Sequence, residues 1–276
     1  MQTSSVPPTP LKSRLCFAAA LLIILCSCSG GGGSSGDNSS TPPAVSATCE
    51  DVGASPWVLN STPCRSAHAA IVQLKISGLT ENAVCSATLI SSTAAITAAH
   101  CFTTFAVAHS EILANGIEVA VSRVVLHPQA QKTAREYLND VAIVHLASPV
   151  EAAQMPLLTS RQVTSGEMVS IFGYGIDDQG QQGILHGGNM RITSVTSTHL
   201  SAFYDGSGSN ACFGDSGGAV LSSASVDGLP IFGIAGVISS GSNGTCANND
   251  LNLFANLQTD AMIQFILNEV PNVGIV

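Results

Sequence analysis

The stretch Cys212-Phe213-Gly214-Asp215-Ser216-Gly217-Gly218-Ala219-Val220 sets one serine between an acidic residue and two glycines. A serine hydroxyl becomes a nucleophile only when a base takes its proton, and that base works best when a carboxylate orients it. Alone, the stretch allows an activated serine or the tip of a tight turn. Residues 214–218 also satisfy the loose G-x-S-x-G pattern of another hydrolase class. The decision rests on whether a histidine and a carboxylate stand in matching contexts, and in what order. His100 lies in Thr97-Ala98-Ala99-His100-Cys101, after Cys85-Ser86-Ala87-Thr88-Leu89-Ile90, and Asp140 lies in Asn139-Asp140-Val141-Ala142-Ile143-Val144. The other histidines of the seven read as surface or turn residues.

Together these three stretches resemble the histidine, aspartate and serine motifs of the trypsin/chymotrypsin family, and the resemblance covers roughly residues 58–270. It implies that His100 is the general base, Asp140 its orienting carboxylate and Ser216 the nucleophile. It also implies an oxyanion hole from the backbone N–H groups of Gly214 and Ser216, and a Cys85–Cys101 disulfide holding the histidine loop. Chain order removes the competitors. An α/β-hydrolase places its histidine after the serine, yet the last histidine here, His199, precedes Ser216. A subtilisin-like order needs an aspartate before the histidine, and only Asp37 and Asp51, in or near a Gly/Ser-rich stretch, precede His100.

The same resemblance assigns a substrate pocket. Its base falls on Asn210, where trypsin-like enzymes carry an aspartate, so an uncharged P1 residue is expected. Phe213, Ser239, Ser240 and Gly241 border it, and Cys246 pairs with Cys212 to brace it. Asn252 or Leu253 faces the interior, although a shift of one residue would turn Asp250 inward. Family zymogens free an N-terminal amine that pairs with the aspartate before the serine, here Asp215. Val58, released by an activating protease after Trp57, is the nearest match. Cys49 and Cys64, left over once the other pairs are assigned, would keep the severed piece attached.

Positioning such residues requires a scaffold of many short strands. Segments 69–76, 86–90, 117–121, 124–126, 141–146, 168–172, 191–195, 218–221 and 231–238 read as strands separated by turn residues, which indicates a barrel or sandwich rather than βαβ units. Thr259 and Asp260 cap a helix burying Met262, Ile263, Ile266 and Leu267. The fold the resemblance implies is all-β: two six-stranded antiparallel β-barrels, with the site in the cleft between them and a C-terminal helix.

Lys12 and Arg14 precede an apolar run, residues 15–25, that suits a signal peptide and is too short to span a membrane. Leu25-Cys26-Ser27-Cys28 resembles a bacterial lipobox, which implies a lipid anchor on Cys28, outer-membrane or periplasmic location, and a signal peptide over 1–27. An ordinary secretory signal is the alternative. Residues 28–48 form a Gly/Ser-rich tether, 49–57 a pro-segment and 58–276 the protease domain. Export permits disulfides among Cys49, Cys64, Cys85, Cys101, Cys212 and Cys246. No CxxC or HExxH spacing occurs, so neither metal nor cofactor is expected. The net charge of −9 without basic clusters excludes a nucleic-acid partner. Polypeptide substrates and a monomeric state are expected. The rival function is a catalytically silent binding module on the same fold, against which the complete His100, Asp140, Ser216 set speaks.

Overall fold

The computed structural model describes residues 47–52, 55–56, 63–65, 69–103, 107–242 and 244–276. The apolar N-terminal run, Cys28, the tether up to residue 46, Trp57 and Val58 lie outside the described residues. Two short paired strands, β1 (Ser55–Pro56) and β2 (Pro63–Arg65), come first. They are followed by β3 (Ile71–Gly78), β4 (Asn82–Ser91), β5 (Ala94–Thr97), β6 (Val107–Ala114) and β7 (Ile117–Leu126). After a two-strand ladder of β8 (Gln131–Lys132) and β9 (Tyr137–Leu138), β10 (Ala142–Leu146) completes a closed six-stranded barrel in the order β10-β5-β4-β3-β6-β7. Closure comes from β10, which pairs with β5 on one side and β7 on the other.

The second half supplies β11 (Met168–Gly173), β12 (Leu185–Val195), β13 (His199–Tyr204), β14 (Ala219–Val226), β15 (Leu229–Gly241) and β16 (Asp250–Asn256). They run in the order β12-β11-β14-β15-β16-β13, and β13 pairs back on β12, so this sheet also closes. β2 joins it by adding to β12. The pairings between these named strands are antiparallel. Two six-stranded antiparallel barrels and one C-terminal helix are thus the observed architecture, as the resemblance implies. Among the described residues no helix is long and apolar enough to cross a membrane.

Local sequence explains the hairpins. Asn115-Gly116 joins β6 to β7 and Asp227-Gly228 joins β14 to β15, all four residues at positive φ (53°, 75°, 52° and 81°). Asn-Gly and Asp-Gly tolerate that left-handed pair, whose twist suits a two-residue hairpin. Inside the barrels, small and β-branched side chains fill the centre. Ile71, Leu74, Leu89, Ile96, Ile112 and Ile143 are buried in the first barrel, and Ile192, Leu200, Val220, Ala235 and Phe254 in the second. Burying a side chain such as Phe254 contributes about 1.5–3 kcal/mol.

Helix α1 (Asp260–Glu269) starts where expected: Thr259 is the N-cap, and its hydroxyl accepts the Met262 N–H. Met262 and Ile266 are buried, whereas Ile263 and Leu267 are only half-buried. Phe265 completes the inner face instead, meeting the His127 ring edge-on at 4.9 Å between centroids. His127 and His199 are therefore not surface residues; both are buried. The His199 imidazole holds the Tyr137 carbonyl at 2.8 Å from Nε2, joining β13 to β9.

Candidate active site

Antiparallel register explains how His100 and Asp140 meet. Ala142 at the start of β10 lies opposite Thr97 at the end of β5, so the residues just outside this ladder face each other. A 3₁₀ turn, Ala99–Phe102, follows β5 and is tied back to β4 by the Cys85–Cys101 disulfide. Asn139, at φ 49°, turns the chain into Asp140. His100 Nδ1 is 2.7 Å from Asp140 Oδ2, and the His100 backbone N–H donates to Asp140 Oδ1 at 2.8 Å.

Asp140 is only 2% exposed. Burial would raise its pKa, but the bond to the His100 side chain, the histidine's charge, the Ser239 hydroxyl and the His100 N–H together hold it below the ordinary aspartate value. The Ser239 hydroxyl donates to Asp140 Oδ2 at 2.5 Å. Ser239 sits on β15 of the second barrel, so the carboxylate on the first barrel is clamped by both. Tyr137 stacks on the His100 ring at 4.7 Å between centroids, fixing its plane from the other side.

Ser216 lies in the loop between β13 and β14. Its carbonyl accepts the Ser86 N–H at 2.7 Å, and Cys101 Sγ lies 4.0 Å from the same oxygen, so the serine backbone rests against the histidine loop's disulfide. Ser86 does more. Its hydroxyl donates to the Gly214 carbonyl and accepts the Tyr174 N–H, both at 2.9 Å. Nothing in the sequence distinguishes this serine except its position after Cys85. Gly217 permits the close approach: a Cβ there would lie 2.1 Å from both the Ser86 carbonyl oxygen and Thr97 Oγ1. At Gly218 the obstacle would be the Phe172 carbonyl oxygen, also at 2.1 Å. The paired glycines let the serine loop touch both barrels.

The peptide between Phe213 and Gly214 has a defined orientation. The Phe213 carbonyl accepts the Ile176 N–H at 2.9 Å, and because a trans peptide points its C=O and N–H in opposite directions, the Gly214 N–H faces away from Ile176. Gly214 sits at φ 99° and packs so closely that a Cβ would meet Gln182 Nε2 at 2.4 Å. Among the described residues no acceptor engages the N–H of Gly214 or of Ser216.

Around the expected pocket, Asn252 Nδ2 donates to Asn210 Oδ1 at 2.7 Å, Asn210 Nδ2 donates to the Cys246 carbonyl at 3.0 Å, and the Ala211 N–H donates to Asn252 Oδ1 at 3.3 Å. Asn252 is buried, as is Asp250 two residues before it on β16. The Asp250 carboxylate lies against Gly241, where a Cβ would meet its Oδ2 at 2.5 Å, and it accepts the Ser242 N–H at 2.8 Å. Ser240 is half-buried and Phe213 exposed. The three expected disulfides, Cys49–Cys64, Cys85–Cys101 and Cys212–Cys246, all form. Cys85, His100 and Cys101 cluster, but the bonded sulfurs carry no thiolate for a metal.

Asp215 lines the same cavity as Asn210, Cys212 and Cys246. Its carboxylate accepts the Gly175 N–H at 2.7 Å and the Cys212 N–H at 2.9 Å. Burial raises its pKa more than those two bonds and the nearby His186 lower it.

Set beside known proteins, this architecture has a clear match: the trypsin family model fits residues 59–262. The chain belongs to the trypsin family. It is also similar to human transmembrane protease serine 11A, at 27% identity over 198 residues. That alignment covers 60% of this chain and 44% of the human protein, so the chain matches less than half the length of that relative. The trypsin-family domain here is a serine protease domain, and its three disulfides suit an oxidising compartment.

Proposed function

We propose that the protein is a serine endopeptidase in which Ser216 is the nucleophile, His100 the general base and Asp140 the group that orients it. One observation carries the reading: a buried carboxylate holds His100 Nδ1 at 2.7 Å, and the Ser216 carbonyl is bonded to Ser86, beside the histidine loop's disulfide. With Nδ1 occupied, Nε2 is the nitrogen left to accept a proton. Ser216 Oγ attacks the scissile carbonyl carbon as its proton passes to His100 Nε2. The tetrahedral intermediate then expels the amine, which takes that proton. Water, deprotonated by the same nitrogen, hydrolyses the acyl-enzyme and restores Ser216. The N–H groups of Gly214 and Ser216 are the proposed donors to the oxyanion; losing one such donor costs about 2.7–4 kcal/mol in transition-state stabilisation.

For substrates, we propose polypeptides with an uncharged P1 residue, a preference supported by the neutral Asn210–Asn252 pair. Phe213, Ser239, Ser240 and Gly241 border the proposed site. The remaining proposals come from the sequence: export as a bacterial lipoprotein anchored through Cys28, and activation by a cut that frees Val58. The Cys49–Cys64 bond would keep the two pieces together after such a cut.

Labelling with a serine-directed fluorophosphonate tests the central reading. Wild type processed to its active form is expected to label, and Ser216→Ala is not. Equal labelling of the two, or none in either, would refute the assignment and favour the silent module.

A further inference from the structure

Gly173 on β11 and His186 on β12 lie opposite each other in the antiparallel register. Side chains at such positions have Cβ atoms about 4.5–5.5 Å apart. Gly173 has no side chain, and Asp215 fills the space: a Cβ at Gly173 would lie 2.3 Å from Asp215 Oδ1. The Asp215 carboxylate thus stands where the cross-strand partner of His186 belongs. His186 also has a second acidic neighbour, with Nε2 3.8 Å from Asp177 Oδ2. That nitrogen is buried and, among the described residues, has no hydrogen-bond partner.

These groups border a cavity of about 620 Å³. The ionisable side chains facing it are Asp177 and Asp178 from the segment after β11, His186 from β12, Asp215 from the serine loop and the phenol of Tyr204 at the end of β13. β11 contributes Ile171, Phe172 and Gly173, and β15 contributes Ile238. Pro63 on β2 lies opposite His186 in the strand register. Among the described lining residues, His186 alone can carry a positive charge. A buried carboxylate without a counter-charge is costly, and an imidazole is the side chain that ordinarily gains its charge between pH 5 and 8. Asp215 lies between Gly214 and Ser216, so whatever holds its side chain also sets how the proposed oxyanion donors and nucleophile are presented.

Building on the protease reading above, we infer that His186 is a proton-gated counter-charge for Asp215. On taking up one proton, its imidazolium pairs with the Asp215 carboxylate and holds the serine loop in working shape in the uncut chain. Once neutral, it no longer does so, and the carboxylate needs a freed amino terminus. His186 is therefore a positioning residue, acting through Asp215, and the regulator it senses is acidity.

The test is the fluorophosphonate labelling rate of the full uncut chain, verified by intact mass, from pH 5.5 to 8.5. Wild type, His186→Gln and His186→Lys are compared, and ratios between them cancel any pH dependence common to all three. Wild type is expected to label about tenfold faster than His186→Gln at pH 6, with the ratio falling toward one by pH 8.5. His186→Lys, charged throughout, should match wild type at pH 6 and exceed it at pH 8.5. A purely structural role would give ratios that do not change with pH, and that result overturns the inference. So does an uncut wild type that never labels while cut wild type and cut His186→Gln label alike; the protease reading then stands. Should His186→Gln fail to fold, the lysine-to-wild-type ratio decides, and a flat ratio overturns the inference. If cut wild type shows no Ser216-dependent labelling, the protease reading itself fails.

Discussion

Ser86→Ala should damage both stability and catalysis, although Ser86 belongs to neither the proposed triad nor the pocket. Its hydroxyl is buried and serves two backbone groups, accepting from the Tyr174 N–H and donating to the Gly214 carbonyl, each at 2.9 Å. Alanine removes both bonds. A buried polar group that loses its partner costs about 1–3 kcal/mol, so two cost about 2–5 kcal/mol after local relaxation. For a domain of this size, each kcal/mol lowers Tm by about 2–4 °C, which predicts a fall on the order of 10 °C. The backbone bond from Ser86 N–H to the Ser216 carbonyl survives the change, so the serine loop stays attached but less fixed. We expect kcat/KM to fall about tenfold, well short of the loss of an oxyanion donor itself. Differential scanning calorimetry and peptide hydrolysis check the two effects. Ser110→Ala, at another buried serine in the first barrel, is the control and should change neither appreciably. If Ser86→Ala melts within about 2 °C of wild type and keeps kcat/KM within twofold, the reasoning that Ser86 holds the loop is wrong.

Gly217→Ala should be worse, because the new Cβ would sit 2.1 Å from the Ser86 carbonyl oxygen and from Thr97 Oγ1, at φ 88°. We expect loss of fluorophosphonate labelling together with a loss of stability of about 3 kcal/mol or more, read by urea denaturation. The pH dependence of stability follows from two buried aspartates with opposite shifts. Asp140 has a folded pKa below its ordinary value, so its contribution is complete above that value and is lost as pH falls through the folded one. Asp215 is raised, so it supports folding below its ordinary value and ceases to as pH rises through the folded one. In the Ser216→Ala background, where self-cleavage is absent, Asp140→Asn should therefore melt lower than its parent at neutral pH, with the gap closing below about pH 4. A gap that persists unchanged to pH 2 would show that Asp140 does not act through its charge.

The chemistry was legible in the chain because the residues proposed to react cannot be exchanged for others of similar size. A serine nucleophile requires an imidazole and a carboxylate, and each sits in a short, recognisable context. Several of the strands missed from the sequence have identifiable physical causes. β16 buries Asp250, Asn252 and Asn256 on alternate positions, so its polar side chains face inward and invert the usual pattern. β5 has only four residues, and β6 and β13 interleave His, Ser and Glu with apolar residues. Hydrophobic alternation marks a strand only when its buried face is apolar. The half-buried Phe265, absent from the expected helix face, has a different cause: its ring packs on His127, a residue distant in the chain.

By itself, then, the sequence determined the order His100, Asp140, Ser216, a run of short strands and the capped helix, while the cysteine pairs and the double-barrel class came through the family resemblance those motifs carry. Those are properties of residue type and local spacing, which a chain carries before it folds. Tertiary structure decided what surrounds them: Ser239 reaching across from the second barrel to Asp140, Ser86 bonded to the serine loop, and Asp215 occupying the space that Gly173 leaves opposite His186. Ser239 and Asp140 lie 99 positions apart and Ser86 and Gly214 lie 128 apart, in pairs of elements that share no local pattern. Only closure of the barrels and their strand register brings such groups together.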